Sequence, residues 1–243
     1  TGLLTAQNGL TSAGIQFSKS LRSTQKEKVL LPGGSQERYL WHFYPKDDRK
    51  GLSLIEMSPE QQSRFYALMH DCFSRRGFDQ VRSVMQMEAV LKAQEKRPES
   101  DHYRDTGKYF CLFFGEPGRD SIWSWRLEGH HVSFSFVISQ DVLLSATPGF
   151  LGSNPAVVQE GPATGKEVFK EETALAFELL QSMGPENMKR AVISTKAPGE
   201  ILSFVSRKAV IENPDGIYYA QMKPVERQML MRLVELYIYR YSR

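Results

Sequence analysis

The sequence predicts an α+β fold in which helices pack around an antiparallel sheet. Amphipathic helix patterns come in neighbouring pairs, and residues 122–138 have the alternation of apolar and polar side chains that is typical of a β-hairpin. Strands and helices do not alternate regularly, as they would in a parallel sheet. The 243 residues, 41% apolar and 24% charged, are enough for a full core and typical of a soluble globular protein.

The first elements are predicted from breakers and capping residues. Residues 1–36 are rich in small polar side chains and contain the breaker Pro32-Gly-Gly34, so we expect a loosely attached arm followed by one α+β domain over 37–243. Residues 38–44 are aromatic and predict a short strand. Ser58 as N-cap, Pro59 at the first helical position and Gln61 in a capping box then predict a helix that ends near Gly77.

Two later helices are predicted to carry a carboxylate on their apolar face. The helix expected over 78–93 has Glu88 in the middle of that face, and the helix over 166–183 has Glu172 there. Between them, strands are expected at 109–114 and 122–138, and a long loop at 146–165 contains Asn154. Residues 201–211 read as extended, and 224–241 as an amphipathic helix.

The segment from Trp123 to His131 contains the densest group of side chains that could bind a metal or transfer a proton. If the hairpin reverses at Glu128-Gly129, Arg126 faces His131 on the polar side, while Trp125 shares the core side with His130. An adjacent arginine favours the neutral imidazole, which accepts a proton or binds a metal, so His131 is predicted to be the reactive histidine. The alternative is that both histidines are hydrogen-bonded packing residues.

Glu88 and Glu172 require partners, because ionised carboxylates are seldom buried alone. We expect His131, Arg126 and Glu172 to come together as a catalytic set, with His131 and Glu172 as ligands of a metal such as Zn. The alternative is a buried salt bridge, and no HExxH or similar spacing supports the metal. Further binding residues are predicted in the hairpin, in the long loop and on the Glu88 helix: Trp125, Glu128, His130, Asn154 and Glu88.

Composition argues against several classes of partner. The net charge is only +3 and the basic residues are scattered, which argues against nucleic acid. No apolar run approaches the roughly 20 residues of a membrane span. Cys72 and Cys111 lie in helix and strand patterns, so buried free thiols are expected rather than a disulfide. The chain begins at Thr1, which leaves a removed leader and the compartment open.

Several segments together resemble the family known as domain of unknown function 3500, over residues 38–241. The resemblance rests on Trp41–Pro45, Gly51–Leu54, Met57–Gln62, Phe114–Pro117, Trp123–His131, Phe150–Pro155, Gly161-Pro162 and Glu171-Glu172. It implies no established activity. It also implies a further C-terminal segment with a His-x-His and Asp-rich signature. If that segment supplies ligands, we expect this chain to be either a truncated form or one that has lost the function.

Two functional hypotheses follow from these residues. The first is a metal-assisted hydrolase or acid–base enzyme that acts on a small polar substrate, in a pocket between the hairpin, the 150–165 loop and the two Glu-bearing helices. The second is a binding or interaction module without catalysis, in which the same residues form a buried polar network. We also expect self-association through the C-terminal helix, which has an apolar stripe consisting of Met222, Met229, Leu230, Leu233, Leu236 and Tyr237.

Overall fold

A computed structural model describes residues 9–242 and divides them into two compact units. The first unit contains residues up to Val168 and the returning segment from Arg240, and the second contains Phe169–Tyr239. The predicted α+β class is confirmed, because helices and one mixed sheet make up the structure. The division differs from the single domain that we expected over 37–243.

The first unit is built on a seven-stranded sheet. Its order is β1-β3-β4-β5-β6, with β2 also paired to β3 and β7 to β5. Only the pairing of β1 with β3 is parallel among the described strands. The strands are β1 (Leu30–Leu31), β2 (Leu52–Ser53), β3 (Phe110–Phe114), β4 (Ile122–Gly129), β5 (Val132–Ser139), β6 (Val142–Ser145) and β7 (Gly149–Leu151).

Four helices of this unit supply its apolar core: α1 (Leu10–Ser20), α2 (Ser23–Val29), α3 (Pro59–Cys72) and α4 (Arg75–Gln94). The Ser58 hydroxyl accepts the Gln61 N–H and the Gln61 side chain returns to the Ser58 N–H, which is the predicted capping box. The Phe65 ring of α3 packs edge-on against Trp125 of β4 at 5.7 Å. Both cysteines are buried free thiols, as expected.

The N-terminal region differs from the predicted loose arm wherever the structure describes it; residues 1–8 lie outside the described range. Helix α1 places Phe17, which is fully buried, 5.8 Å from Phe113 of the sheet, and β1 pairs with β3. Burial of this apolar surface outweighs the local Gly and Ser content. Residues 38–44 form a 3-10 turn and an irregular segment in place of the predicted strand.

The hairpin of β4 and β5 reverses two residues later than predicted. Gly129 pairs with Val132, so the turn consists of His130 and His131, and Arg126 pairs with Ser135 rather than with His131. His131 has a φ of 58°, a left-handed conformation that closes the tight turn. The predicted face pattern along β5 is nevertheless found, since Phe134 and Phe136 are fully buried on the core side.

The second unit is helical, with α5 (Lys170–Ser182), α6 (Pro185–Ala191) and α7 (Pro224–Ile238). Its buried apolar cluster consists of Leu179, Met183 and Met222, with Met229 and Leu230 of α7 packed against it. Residues 201–211 form turns and bends rather than the predicted extended segment. Across residues 9–242, the helices are too short or too polar to traverse a bilayer.

Candidate functional site

A pocket of the first unit opens between two irregular segments and reaches the β4–β5 turn. It encloses about 330 Å³ of empty space, including its open mouth. The lining comes from the 45–49 segment, the 103–109 segment, α4 and the β4–β5 turn. The lining residues are Pro45, Lys46, Asp47, Arg49, Glu88, Tyr103, Asp105, Lys108, Tyr109 and His130.

A histidine and a carboxylate meet at the base of this pocket. The Nδ1 of His130 lies 2.5 Å from Oε1 of Glu88, whose residue is 5% exposed. At this distance the imidazole nitrogen and the carboxylate oxygen share one hydrogen bond. Glu88 is therefore not a free surface carboxylate, as predicted, but its partner is His130 rather than His131 or Arg126.

Arg104 approaches the same pair from the 103–109 segment. One of its guanidinium nitrogens lies 3.4 Å from Oε2 of Glu88 and 3.2 Å from Nδ1 of His130. Glu95 holds the guanidinium in place through contacts of 2.6 to 3.2 Å. Hydrogen bonds from Arg104 and Arg97 lower the pKa of Glu95 to about 2, so this anchor is ionised at neutral pH.

The turn that carries His130 is fixed by three hydrogen bonds. The buried Tyr109 hydroxyl donates to the carbonyl of His130 at 3.2 Å. The His131 N–H donates to the carbonyl of Phe43 at 2.8 Å, and the Gly152 N–H donates to the carbonyl of His131 at 2.9 Å. Desolvation raises the pKa of Tyr109 well above its ordinary value, so its hydroxyl stays protonated and able to donate. The backbone position from which the His130 side chain extends is thereby fixed.

His131, the predicted acid–base residue, lies beside His130 with ring centroids 4.1 Å apart and ring planes tilted by 52°. Burial, followed by the neighbouring His130, lowers its pKa from 6.5 to about 4. The neutral imidazole that we predicted is therefore favoured, but the physical cause is burial rather than Arg126. The earlier reversal predicted for the turn had placed His131 opposite Arg126, and the observed register removes that pairing.

The low pKa of His131 predicts a loss of stability in mild acid. An unfolded His131 takes up its proton near pH 6.5 but the folded ring does so only near pH 4. Between these values the unfolded chain binds more protons, so the free energy of unfolding decreases as the pH falls. We expect the free energy of unfolding of the His131→Asn variant, measured in urea, to decrease less between pH 7 and pH 4.5 than that of the wild type. Asparagine is a suitable replacement because it tolerates the positive φ at this position. An equal loss in both proteins would contradict this prediction.

Arg126, the second predicted catalytic residue, belongs to a network of charges that shares Arg49 with the pocket lining. Its guanidinium donates to the Glu37 carbonyl and to Glu37 Oε1, both at 2.9 Å, and its Nε lies 3.2 Å from Oε2 of Glu128. Glu128 in turn binds Arg49 and accepts the His42 N–H at 2.9 Å. The four charged side chains are nearly inaccessible and alternate in sign. These ion pairs hold the 36–49 segment against the sheet.

Two of the remaining predicted site residues, Trp125 and Asn154, are not among the residues that line the pocket. Trp125 is fully buried in the core and stacks on Phe136 at 4.7 Å, and Asn154 is exposed in its loop. Glu172 is 5% exposed on α5, beside Leu175 and Leu179 of the second unit. Its predicted meeting with His131 and Arg126 stays a prediction.

The predicted zinc site receives no support from the grouping of side chains. Within residues 9–242, nowhere do three or more His, Cys, Asp or Glu side chains lie close enough together to hold a metal ion. His131 carries the proposed ligand nitrogen, but its neighbours are His130 and backbone groups. A metal of the kind expected needs at least three protein ligands.

Several residues of the site were missed in the sequence, among them Arg104, Lys108 and Tyr109. Arg104 lies in the charged 95–105 segment, which reads as a solvated connector, Lys108 directly precedes the strand predicted over 109–114, and Tyr109 begins it, without any motif. The one usable signal was Glu88, because a carboxylate on an apolar face demands a partner. Identifying that partner required the turn register.

Family comparison agrees with the resemblance drawn from the sequence. The family model described as "Protein of unknown function (DUF3500)" matches residues 5–243. This chain belongs to that family. No curated protein and no solved structure shows significant similarity to it. Membership of the DUF3500 family therefore establishes relatedness over nearly the whole chain, and the chemistry has to be inferred from the site itself.

Proposed function

We propose that this DUF3500 protein is an acid–base enzyme, and specifically a hydrolase of a small polar substrate, with His130 as the proton-transfer group. The observation that supports this is the 2.5 Å contact between His130 Nδ1 and the buried Glu88 carboxylate at the base of an open pocket. A histidine oriented by a carboxylate is the usual arrangement of a general base.

The chemistry follows from the position of the ring proton. With Nδ1–H donated to Glu88, the lone pair of the neutral imidazole is on Nε2. Nε2 can take a proton from water or from a substrate hydroxyl and return it to the leaving group in the next step. Glu88 stabilises the imidazolium formed in between and orients the ring, and the hydrogen bond from Tyr109 to the His130 carbonyl holds the backbone of the turn.

A non-catalytic binding module is the alternative, in which Glu88 and His130 only fasten the turn to α4. The buried network of Glu37, Arg126, Glu128 and Arg49 shows that this protein uses charge pairs to hold segments together. The two hypotheses differ in one measurable property. A catalytic His130 has a reactive Nε2 that depends on Glu88, whereas a structural one is inert.

Diethyl pyrocarbonate modification of the histidines tests the proposal without a known substrate. We expect His130 to be modified rapidly, and Glu88→Gln to slow that reaction by about tenfold, as loss of an orienting carboxylate commonly does. His102 and Asp105 form a matched control, because they lie 2.7 Å apart but His102 is exposed. Asp105→Asn should change the His102 rate little.

An unreactive His130 in the folded wild-type protein would favour the binding module. So would a His130 rate that is the same in wild type and in Glu88→Gln. The Glu88→Gln protein must first be shown to be folded, by a cooperative unfolding transition. If the variant does not fold, wild-type reactivity measured from pH 5 to 8 still separates an accessible base from a packed ring.

We also propose self-association through α7, as the sequence predicts. Met229 and Leu230 pack within the second unit, whereas Met231, Val234 and Ile238 are 44%, 37% and 56% exposed along another face of the helix. Sedimentation velocity at increasing concentration measures the effect. A mass that stays monomeric throughout would contradict this proposal.

A further inference from the structure

We propose that the ligand of the pocket is an anion, with a carboxylate or phosphate group that binds Lys108 in place of Asp47. This inference deepens the proposed function by naming the substrate class, and it rests on the same pocket. It does not depend on His130 transferring a proton.

Two acidic groups of the pocket lining already have a cationic neighbour within the protein. Glu88 lies 3.4 Å from Arg104, and Asp105 lies 3.8 Å from Lys92. These ion pairs reduce the attraction of both carboxylates for a cationic ligand.

The cationic groups at the pocket mouth are neutralised only weakly. Lys108 Nζ lies 3.0 Å from Oδ1 of Asp47, and the Asp47 side chain is 78% exposed. Lys46 lies 3.5 Å from Asp48, which is 81% exposed. Pairs with such exposed carboxylates contribute little to stability, because water competes for both partners. An incoming anion can therefore displace either aspartate at small cost.

Asp47 occupies the place at Lys108 that a ligand carboxylate would take. Lys108 and Asp47 both line the pocket, and the Lys108 side chain is 29% exposed whereas that of Asp47 is 78% exposed. A ligand group bound to Lys108 from within the pocket would be more desolvated than Asp47 and so would interact more strongly. It would also bring the rest of the ligand beside His130, which lines the same pocket.

Titration of the folded, ¹⁵N-labelled full chain with sodium acetate and with inorganic phosphate, at constant ionic strength, tests the anion class. We expect saturable shifts of the amide signals of residues 45–49 and 103–109 with at least one of the two. The tighter one identifies carboxylate or phosphate as the preferred group. Acetamide, which has nearly the shape of acetate without its charge, should produce no saturable shift.

Two variants are expected to change the anion affinity in opposite directions. Lys108→Met should weaken binding about tenfold, the usual effect of losing one charge-assisted contact. Asp47→Asn should strengthen it about two- to fivefold, because an exposed competing ion pair is removed. Lys28→Met and Glu186→Gln make the same charge changes at exposed pairs elsewhere and should leave the affinity unchanged.

Three results would overturn the proposal: no saturable shift with either anion, equal binding of acetamide, or equal effects of the pocket variants and their controls. Glu88→Gln separates this proposal from the proposed function. If anions bind to Glu88→Gln as they do to wild type while His130 proves unreactive, the pocket is an anion site without acid–base chemistry. If His130 is reactive but neither anion binds, only the substrate class is wrong.

Discussion

Replacing Arg126 by Met should lower the free energy of unfolding by about 3–5 kcal/mol, the range seen when one member of a buried ion pair is removed. Arg126 is 2% exposed and lies between Glu37 and Glu128, which are themselves nearly buried. Without it, two carboxylates remain on the same face of the sheet with only Arg49 and the exposed Lys50 as neighbouring cations. The length of the Met side chain preserves most of the packing, so the loss is mainly electrostatic.

Urea unfolding monitored by tryptophan fluorescence measures this change. Arg64→Met is the matched control, because Arg64 is partly exposed and pairs with Glu60 one turn away at 2.8 Å. Arg64→Met should lower the free energy of unfolding by no more than about 0.5 kcal/mol. The network does not stabilise the sheet if the two variants lose similar amounts of unfolding free energy. The same conclusion holds if Arg126→Met loses less than about 1 kcal/mol, which is a typical value for any single substitution.

Replacing Gly77 by Ala should destabilise the protein by about 1–3 kcal/mol, the usual result of forcing an extra methyl group into a packed site. A Gly-to-Ala change inside a helix normally stabilises a protein by roughly 0.5–1 kcal/mol. The expected change in the free energy of unfolding therefore has the opposite sign here. The reason is that a Cβ at position 77 would overlap the backbone carbonyl oxygen of Arg240. That carbonyl accepts the Ser74 N–H at 2.9 Å and cannot move without breaking this bond at the start of α4.

Hydrogen exchange locates the effect. The amides of Ser74 and Ser242, which bond to Arg240 and Cys72, should lose protection first in Gly77→Ala. Gln86→Ala, at an exposed position of the same helix, is the control and should leave stability equal or slightly higher. A Gly77→Ala protein as stable as wild type, with protected Ser74 and Ser242 amides, would show that residues 240–242 do not pack against α4 as described.

Much of the fold was determined by local sequence. The Ser58-Pro59 start of α3, the alternation of Phe134 and Phe136 with serines along β5, and the absence of a repeating strand–helix pattern predicted the α+β class correctly. Such features depend on residues within a few positions of one another, which the sequence displays directly. The same holds for the anomaly of Glu88, because an acidic residue on an apolar helix face is visible in the helical period alone.

The identity of the site was decided by tertiary structure. The hairpin turn falls at His130-His131 rather than at Glu128-Gly129, and His130 rather than His131 lies beside Glu88. The register of a hairpin depends on which of its apolar side chains become buried in the core. Local sequence alone distinguishes poorly between neighbouring positions for the turn. The sequence therefore predicted a histidine–glutamate pair but not its members.

The remaining partners come from distant parts of the chain. Glu88 and His130 are 42 positions apart, and Arg126 and Glu37 are 89 apart. No period or spacing encodes such a pair, because the contact exists only after α4 and the 36–49 segment have packed on the sheet. The sequence by itself determined that the chain forms helices around a hairpin and buries a carboxylate. Tertiary packing decided which imidazole meets that carboxylate, since only packing brings separate segments within the few ångströms over which a hydrogen bond acts.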